Sequence, residues 1–265
     1  MTSVLVSYQP VLISAEGRKV KLKLVLAVIS FVSMGLIFDW YLAAILLMVI
    51  WIHEQGHIWA IKRIGHNTLG FYFIPLLGGV TLSQGQYVDR TQRVFVYIMG
   101  PVFGLASGLA LLPIYFVLGR PPIIIAAIWI TVVVNLLNLI PIKPLDGGYV
   151  VEEILSDIDH DLAYISLVIV AFIGIIVSAI YQLWVYFAFL MLRAFTMRPP
   201  RGEVFPRMLP NQRLSCFAGY MSAVLILGVL FWYCYGELRP LLEHNYWTPE
   251  GHNAPSGVLC EYGID

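Results

Sequence analysis

Seven apolar stretches, most of them long enough for a helix to cross a bilayer, leave this chain few ways to fold. They lie at roughly 22–38, 40–63, 91–118, 122–141, 162–178, 180–196 and 214–236. Runs such as VLAVISFV and IIIAAIWI do not alternate polar with apolar residues, so they are helices and not strands of a membrane barrel. The stretch from Ala163 to Phe195 would be about 50 Å long as one helix, well beyond a hydrocarbon core of about 30 Å. A break near Tyr181–Gln182 is therefore expected, giving two short spans. Only 12% of the 265 residues are charged, about half the share in a soluble domain, and mean hydropathy is +0.81. Formal net charge is zero. These values exclude a disordered chain, a nucleic-acid binder and an ordinary soluble enzyme. The expectation is an all-α polytopic membrane protein.

Orientation follows from Lys and Arg, which favour the cytosolic side. With the N-terminus inside and seven spans, all but Arg120 and Arg239 of the 16 basic residues fall on the cytosolic side. Removing the break near Tyr181 would send the five-Arg group Arg193, Arg198, Arg201, Arg207 and Arg213 to the outer side, so charge supports the same count as length.

The expected organisation is a cytosolic N-terminal segment at 1–21 and a membrane core at 22–196. A Pro-rich basic linker at 197–213 (MRPPRGEVFPRMLPNQR), a last span at 214–236 and a polar outer tail at 237–265 follow. No small-residue site follows the first apolar run, so a cleavable signal peptide is not expected. Cys216, Cys234 and Cys260 are too few for a disulfide scaffold and lack metal-ligand spacing. Cys234 and Cys260 fall on one side, where pairing would be open to them. Gly100, Gly104 and Gly108 form GxxxGxxxG, which lets helices approach closely. Aromatic residues Trp184, Tyr186, Trp232, Tyr233 and Tyr235 read as interfacial anchors.

The second span, WYLAAILLMVIWIHEQGHIWAIKR, contains three ionisable groups in five residues: His53, Glu54 and His57. Such groups within a span are costly unless a partner or a cation compensates them. On a helix, residues i and i+4 share a face. Two imidazoles so placed can hold one Zn²⁺, and the glutamate between them can reach an activated water. A pair of buried histidines bonded to neighbouring helices is the plainer alternative. Zinc would need a third ligand, for which His66, His160, Asp146, Glu152, Glu153, Asp157, Asp159 and Asp161 are candidates. Asp146 stands apart. It lies in NLLNLIPIKPLDGG, where Pro141, Pro144, Gly147 and Gly148 break a helix. Irregular backbone at membrane depth is tolerated only when buried in protein or lining a wet cavity. The acidic group Glu152–Asp161 reads as a solvated face.

These motifs resemble the site-2 protease family of intramembrane zinc metalloproteases. The resemblance rests on HEQGH at 53–57, Gly100–Pro101 and NLIPIKPLDGG at 138–148, in a region from about 40 to 150. It implies one Zn²⁺ on His53, His57 and Asp146, Glu54 as general base, and Asn138 as a residue that positions substrate or stabilises the oxyanion. The chain departs from the family after Gly100–Pro101, where an asparagine is often found and Val102, Phe103 and Gly104 stand here. It also has no insertion long enough for a PDZ or CBS domain. Asn135, one turn before Asn138, reads as interhelical glue in preference to a support for the site.

The segment GFYFIPLLGGVTLSQGQY at 70–87 links the second and third spans. Its apolar character and its glycines suggest a re-entrant β-hairpin whose edge would pair with an unwound substrate. The expected activity is hydrolysis of a peptide bond within or near a transmembrane segment of a membrane-anchored protein. The expected partners are the bilayer, that substrate and a regulatory membrane protein. A proteolytically silent partner-binding protein is the alternative. A zinc transporter ranks last, because it would predict paired broken helices in two related halves.

Overall fold

The computed structural model describes residues 9–75, 78–84, 87–180 and 205–243. Helices α1 (Gln9–Ile37) and α2 (Trp40–Arg63) come first, followed by strands β1 (Thr68–Ile74) and β2 (Gly78–Ser83). Helices α3 (Arg90–Val117), α4 (Pro122–Asn138), α5 (Asp146–Ser156), α6 (His160–Ile180) and α7 (Pro210–Glu243) complete the described residues.

Local chemistry sets several boundaries. The Asp39 carboxylate accepts from the backbone N–H of Tyr41 at 2.8 Å and of Leu42 at 3.2 Å, capping α2. Asp89 caps α3 by accepting from Gln92 N–H at 2.8 Å. Pro122 opens α4, where a missing N–H costs nothing.

Four segments are long and apolar enough to cross a membrane: Val20–Ile37, Trp40–Arg63, Arg90–Val117 and Pro210–Pro240. The chain is an integral membrane protein. The seven-span expectation holds only in part. The apolar segments Pro122–Asn138 and His160–Ile176 are shorter, and the 17 residues of α4 reach about 26 Å. The expected span at 180–196 lies, beyond Ile180, outside the described residues, as do Trp184, Tyr186 and Cys260.

The stretch before Asp146 also differs from expectation. Irregular backbone is confined to 139–145, and Asp146 starts α5 instead of sitting on a broken segment. Pro141 and Pro144 end one helix, and nothing after Pro144 bars the next. Gly147 and Gly148 allow α5 to lie against the preceding turn. A Cβ at Gly147 would fall 2.8 Å from the Ile140 carbonyl oxygen, and one at Gly148 would fall 2.5 Å from the Ile142 carbonyl carbon.

The core joins α3, α4, α5 and α7 through Val94, Leu105, Ile128, Val132, Val150 and Leu227. Outward faces are apolar instead of charged, as at Val28, Phe172, Val229 and Trp232, as lipid contact requires.

β1 and β2 pair antiparallel, with Phe71 opposite Thr81 and Phe73 opposite Gly79. The hairpin between the second and third helices is therefore present. It lies along α1 and α2: the Lys23 ammonium sits 5.3 Å from the Tyr72 ring centroid, and Phe73 packs on the Met34, Ala43 and Ile50 cluster.

At the end of the bundle that holds the C-terminus of α2, the acidic group is not a solvated face. Glu153 is buried and pairs with Arg90 at 2.9 Å and Arg93 at 3.2 Å. Asp157 is buried and pairs with Arg213 at 3.3 Å, while accepting the Met208 backbone N–H at 2.6 Å. Glu152 pairs with Lys143. Of the group's titratable residues, only Asp159, His160 and Asp161 are exposed. The basic residues that the sequence placed at one end of the bundle neutralise these carboxylates. Part of the expected linker belongs to this packing. The Phe205 ring lies 5.6 Å from the Arg90 guanidinium and 5.3 Å from that of Arg93. Helix α7 starts at Pro210, before the expected 214, and runs on to Glu243. The rest of the expected outer tail lies outside the described residues.

Candidate metal centre

His53, Glu54 and His57 are buried on α2. Their ligand atoms lie within 4.8 Å of one another. Close helix packing makes room for them. A Cβ at Gly56 would fall 2.9 Å from the Gly100 Cα, and one at Gly100 would fall 2.8 Å from His53 Nε2 and collide with the His57 ring. The glycine stripe thus serves packing beside this cluster.

The hydrogen bonds assign the protons. His57 Nδ1 lies 2.8 Å from the Val96 carbonyl, which can only accept, so Nδ1–H donates. His53 Nδ1 lies 2.8 Å from Asn135 Oδ1. The amide of Asn135 is oriented by its other end, where Nδ2 donates to the Thr131 carbonyl at 2.7 Å. His53 Nδ1–H is therefore also a donor. With Nδ1 carrying the hydrogen in each ring, Nε2 is the nitrogen left to offer a lone pair to a cation. The two Nε2 atoms face each other at 3.0 Å. Asp146 Oδ2 stands 3.0 Å from His53 Nε2 and 3.4 Å from His57 Nε2, is buried, and makes no hydrogen bond.

Three electron-pair donors thus converge on one point. A proton would satisfy one pair and leave the third atom facing a lone pair. One divalent cation satisfies all three. Two imidazoles and a carboxylate are a donor set suited to zinc.

Glu54 sits beside this point. Its Oε2 accepts from the Thr81 hydroxyl of β2. A Cβ at Gly79 would fall 2.7 Å from Glu54 Oε1, so β2 is pressed against the carboxylate. A cavity of about 360 Å³ opens over Glu54, His57 and Asp146, with Gly79, Asn138 and Tyr149 in its wall. Tyr87 also lines it, and burial pushes its phenol up, keeping a neutral hydroxyl there.

Of the third-ligand candidates, Asp146 is the one the fold brings to the histidine pair. Glu152, Glu153 and Asp157 are engaged by cations. Asp159 caps α6 by accepting from Asp161 N–H at 2.7 Å, and the His66 ring lies tilted beside Tyr87 with centroids 5.6 Å apart. Asn138 is half-buried, and its Nδ2 donates to the Val134 carbonyl at 3.0 Å. Asn135, read from the sequence as glue, bonds directly to His53. Thr81 was not singled out by the sequence, and a threonine in a short strand carries no signal of its own.

The described residues thus form an apolar helical bundle with a buried His–Glu–His group. Residues 41–121 match the model of Peptidase family M50. The resemblance to the site-2 protease family read from the motifs is thereby borne out over that segment, which ends before Asn138 and Asp146. Among solved structures, the chain is similar to the site-2 protease from Methanocaldococcus jannaschii. The two are 18% identical, the match covers 69% of this chain and 91% of that one, and the TM-score is 0.47. No curated protein sequence matches the chain.

Proposed function

We propose that this protein is an intramembrane zinc metalloprotease that hydrolyses a peptide bond within or near a transmembrane segment of a membrane-anchored substrate. The observation that carries the reading is the convergence of His53 Nε2, His57 Nε2 and Asp146 Oδ2 with no hydrogen bond to Asp146 Oδ2. His53, His57 and Asp146 would hold a zinc ion, which would supply Lewis-acid polarisation of a peptide carbonyl and activation of water at neutral pH.

The chain's own residues do the rest. Glu54 takes a proton from the attacking water as its oxygen bonds to the carbonyl carbon, and delivers it to the amine as the C–N bond breaks. The Thr81 hydroxyl holds Glu54 Oε2 in place during both transfers. Asn138 spends one amide hydrogen on Val134 and has a second to direct at the developing oxyanion from the cavity wall.

A substrate helix must unwind before cleavage, exposing backbone groups that lipid cannot satisfy. The β-hairpin supplies replacement partners through strand addition. Its contacts with Lys23 of α1 and with the Met34–Ala43–Ile50 cluster support a hairpin that lies beside the spans, and β2 lies against the base. The basic end of the bundle is cytosolic by charge bias. With seven spans the N-terminus is inside, and cleavage falls toward the cytosolic side.

The test is zinc per chain in detergent-purified protein. About one zinc is expected for the wild type and little for Asp146→Ala. No zinc in the wild type under non-chelating conditions would refute the reading. With zinc established, cleavage of a membrane-anchored reporter that is lost in Glu54→Gln would establish proteolysis.

A further inference from the structure

We infer that Asn135 is a positioning residue for the metal centre: its side-chain oxygen fixes the ring and tautomer of His53, and Gly104 exists to let it do so. The inference rests on the zinc reading above and goes beyond it.

Asn135 is fully buried at 0% exposure, on a helix whose neighbours are apolar. A buried amide there is costly unless both ends are bonded. Both are. Nδ2 donates to the Thr131 carbonyl at 2.7 Å, which leaves Oδ1 as the only atom that can face His53 Nδ1, at 2.8 Å. Glue between helices would need any polar partner. This amide meets a single imidazole nitrogen, on the side opposite the Nε2 that faces Asp146. An acceptor at Nδ1 holds the proton there and leaves Nε2 free to bind a cation, and it also raises the basicity of the ligand. His57 obtains the same service from the Val96 carbonyl. The two histidines are thus oriented by oxygens from two different helices, α4 and α3.

Gly104 supports the same assignment from the far side. A Cβ there would fall onto the amide of Asn135, overlapping Cγ, Oδ1 and Nδ2. Four residues on, Gly108 has nothing closer than 3.6 Å to an added Cβ. Contact of glycine with the amide is therefore a local requirement at 104 and not a general tightness of the helix pair.

The experiment measures zinc affinity by competition with a chelator, and the visible spectrum of the Co²⁺-loaded protein, in wild type and three variants. Asn135→Leu keeps volume and removes the acceptor. Asn135→Asp keeps an acceptor oxygen. Gly104→Ala leaves Asn135 in place and pushes its amide off His53. Folding is checked by thermal melts and size exclusion. Asn135→Leu and Gly104→Ala are expected to lose about 10- to 100-fold in zinc affinity and to alter the Co²⁺ spectrum. Asn135→Asp should stay close to wild type in both. A purely structural asparagine predicts the reverse order, with leucine tolerated and aspartate harmful, and that result would overturn the inference. So would wild-type zinc affinity in a folded Asn135→Leu, or, should that variant not fold, in Gly104→Ala. A wild type that binds no zinc would instead remove the underlying reading, so the two failures are distinguishable.

Discussion

Gly100→Ala adds one carbon at the point where α3 meets the two imidazoles. That carbon would stand 2.8 Å from His53 Nε2 and closer still to the His57 ring. Ordinary contact between such atoms is about 3.5 Å, so His53 must retreat by roughly 0.7 Å and His57 by more. Metal–ligand distances tolerate only about 0.2 Å. The displacement exceeds that tolerance several-fold, while the cost to folding from overpacking is of order 1–3 kcal/mol. The expected outcome is a protein that still folds and has lost most of its zinc. Gly108→Ala is the matched control: same helix, same added carbon, nothing nearer than 3.6 Å. It should keep zinc and gain up to about 1 kcal/mol from better helix propensity. Zinc per chain and melting temperature, measured on both variants in one detergent, decide the matter. Full zinc in Gly100→Ala, or equal losses in the two variants, would refute the argument that glycine is needed at 100 for access of α3 to the ligands.

Glu54→Gln should retain zinc, because the glutamate is not among the three converging donors, and lose reporter cleavage by at least 100-fold; retained cleavage would remove Glu54 as the base. Thr81→Val deletes the hydroxyl that donates to Glu54 Oε2 and keeps the shape of the strand residue. It should lower kcat with little change in KM, and Thr81→Ser should restore it; an equal defect in Thr81→Ser would point to packing instead. Glu153→Leu leaves Arg90 buried and Arg93 half-buried without their shared carboxylate and should destabilise the fold by roughly 3–5 kcal/mol, read from thermal or denaturant unfolding in detergent.

Legibility in the sequence followed the range of the interactions involved. The His53–Glu54–His57 group is local: three residues on one helical turn, visible as spacing alone. The hairpin was readable because Pro75, Gly78, Gly79 and Gly85 interrupt an apolar run too short to span. Asp146 stands out in the sequence by its setting among prolines, but the helical backbone it starts does not. Prolines announce where a helix must stop and say nothing of where the next one starts. The burial of the acidic run from Glu152 is hidden in the sequence for a related reason. A charge run looks solvated until its partners are known, and Arg90, Arg93 and Arg213 arrive from helices 60 or so residues away along the chain. Asn135 and Thr81 were least legible. Each acts through one bond to a residue on another element, and no spacing rule registers that.

The buried polar groups around the histidines can be counted against their partners. In an apolar bundle every such group must be compensated within the protein. His53 Nδ1 has Asn135, His57 Nδ1 has Val96, and Glu54 Oε2 has Thr81. Arg90 and Arg93 have Glu153. Around the histidines, the atoms left over are the two Nε2 and Asp146 Oδ2, and all three are acceptors. A structural network would close on itself with alternating donors and acceptors, as the Arg90–Glu153–Arg93 cluster does. This one ends in three acceptors that point at each other and are held there by bonds on their far sides. Such an arrangement is unfavourable as it stands and becomes favourable only when positive charge is placed at its centre. The same bonds that orient His53 and His57 prevent the cluster from relaxing into a self-satisfied one, so on the proposed zinc reading Asn135 and Val96 would set the cation requirement as much as the ligands themselves.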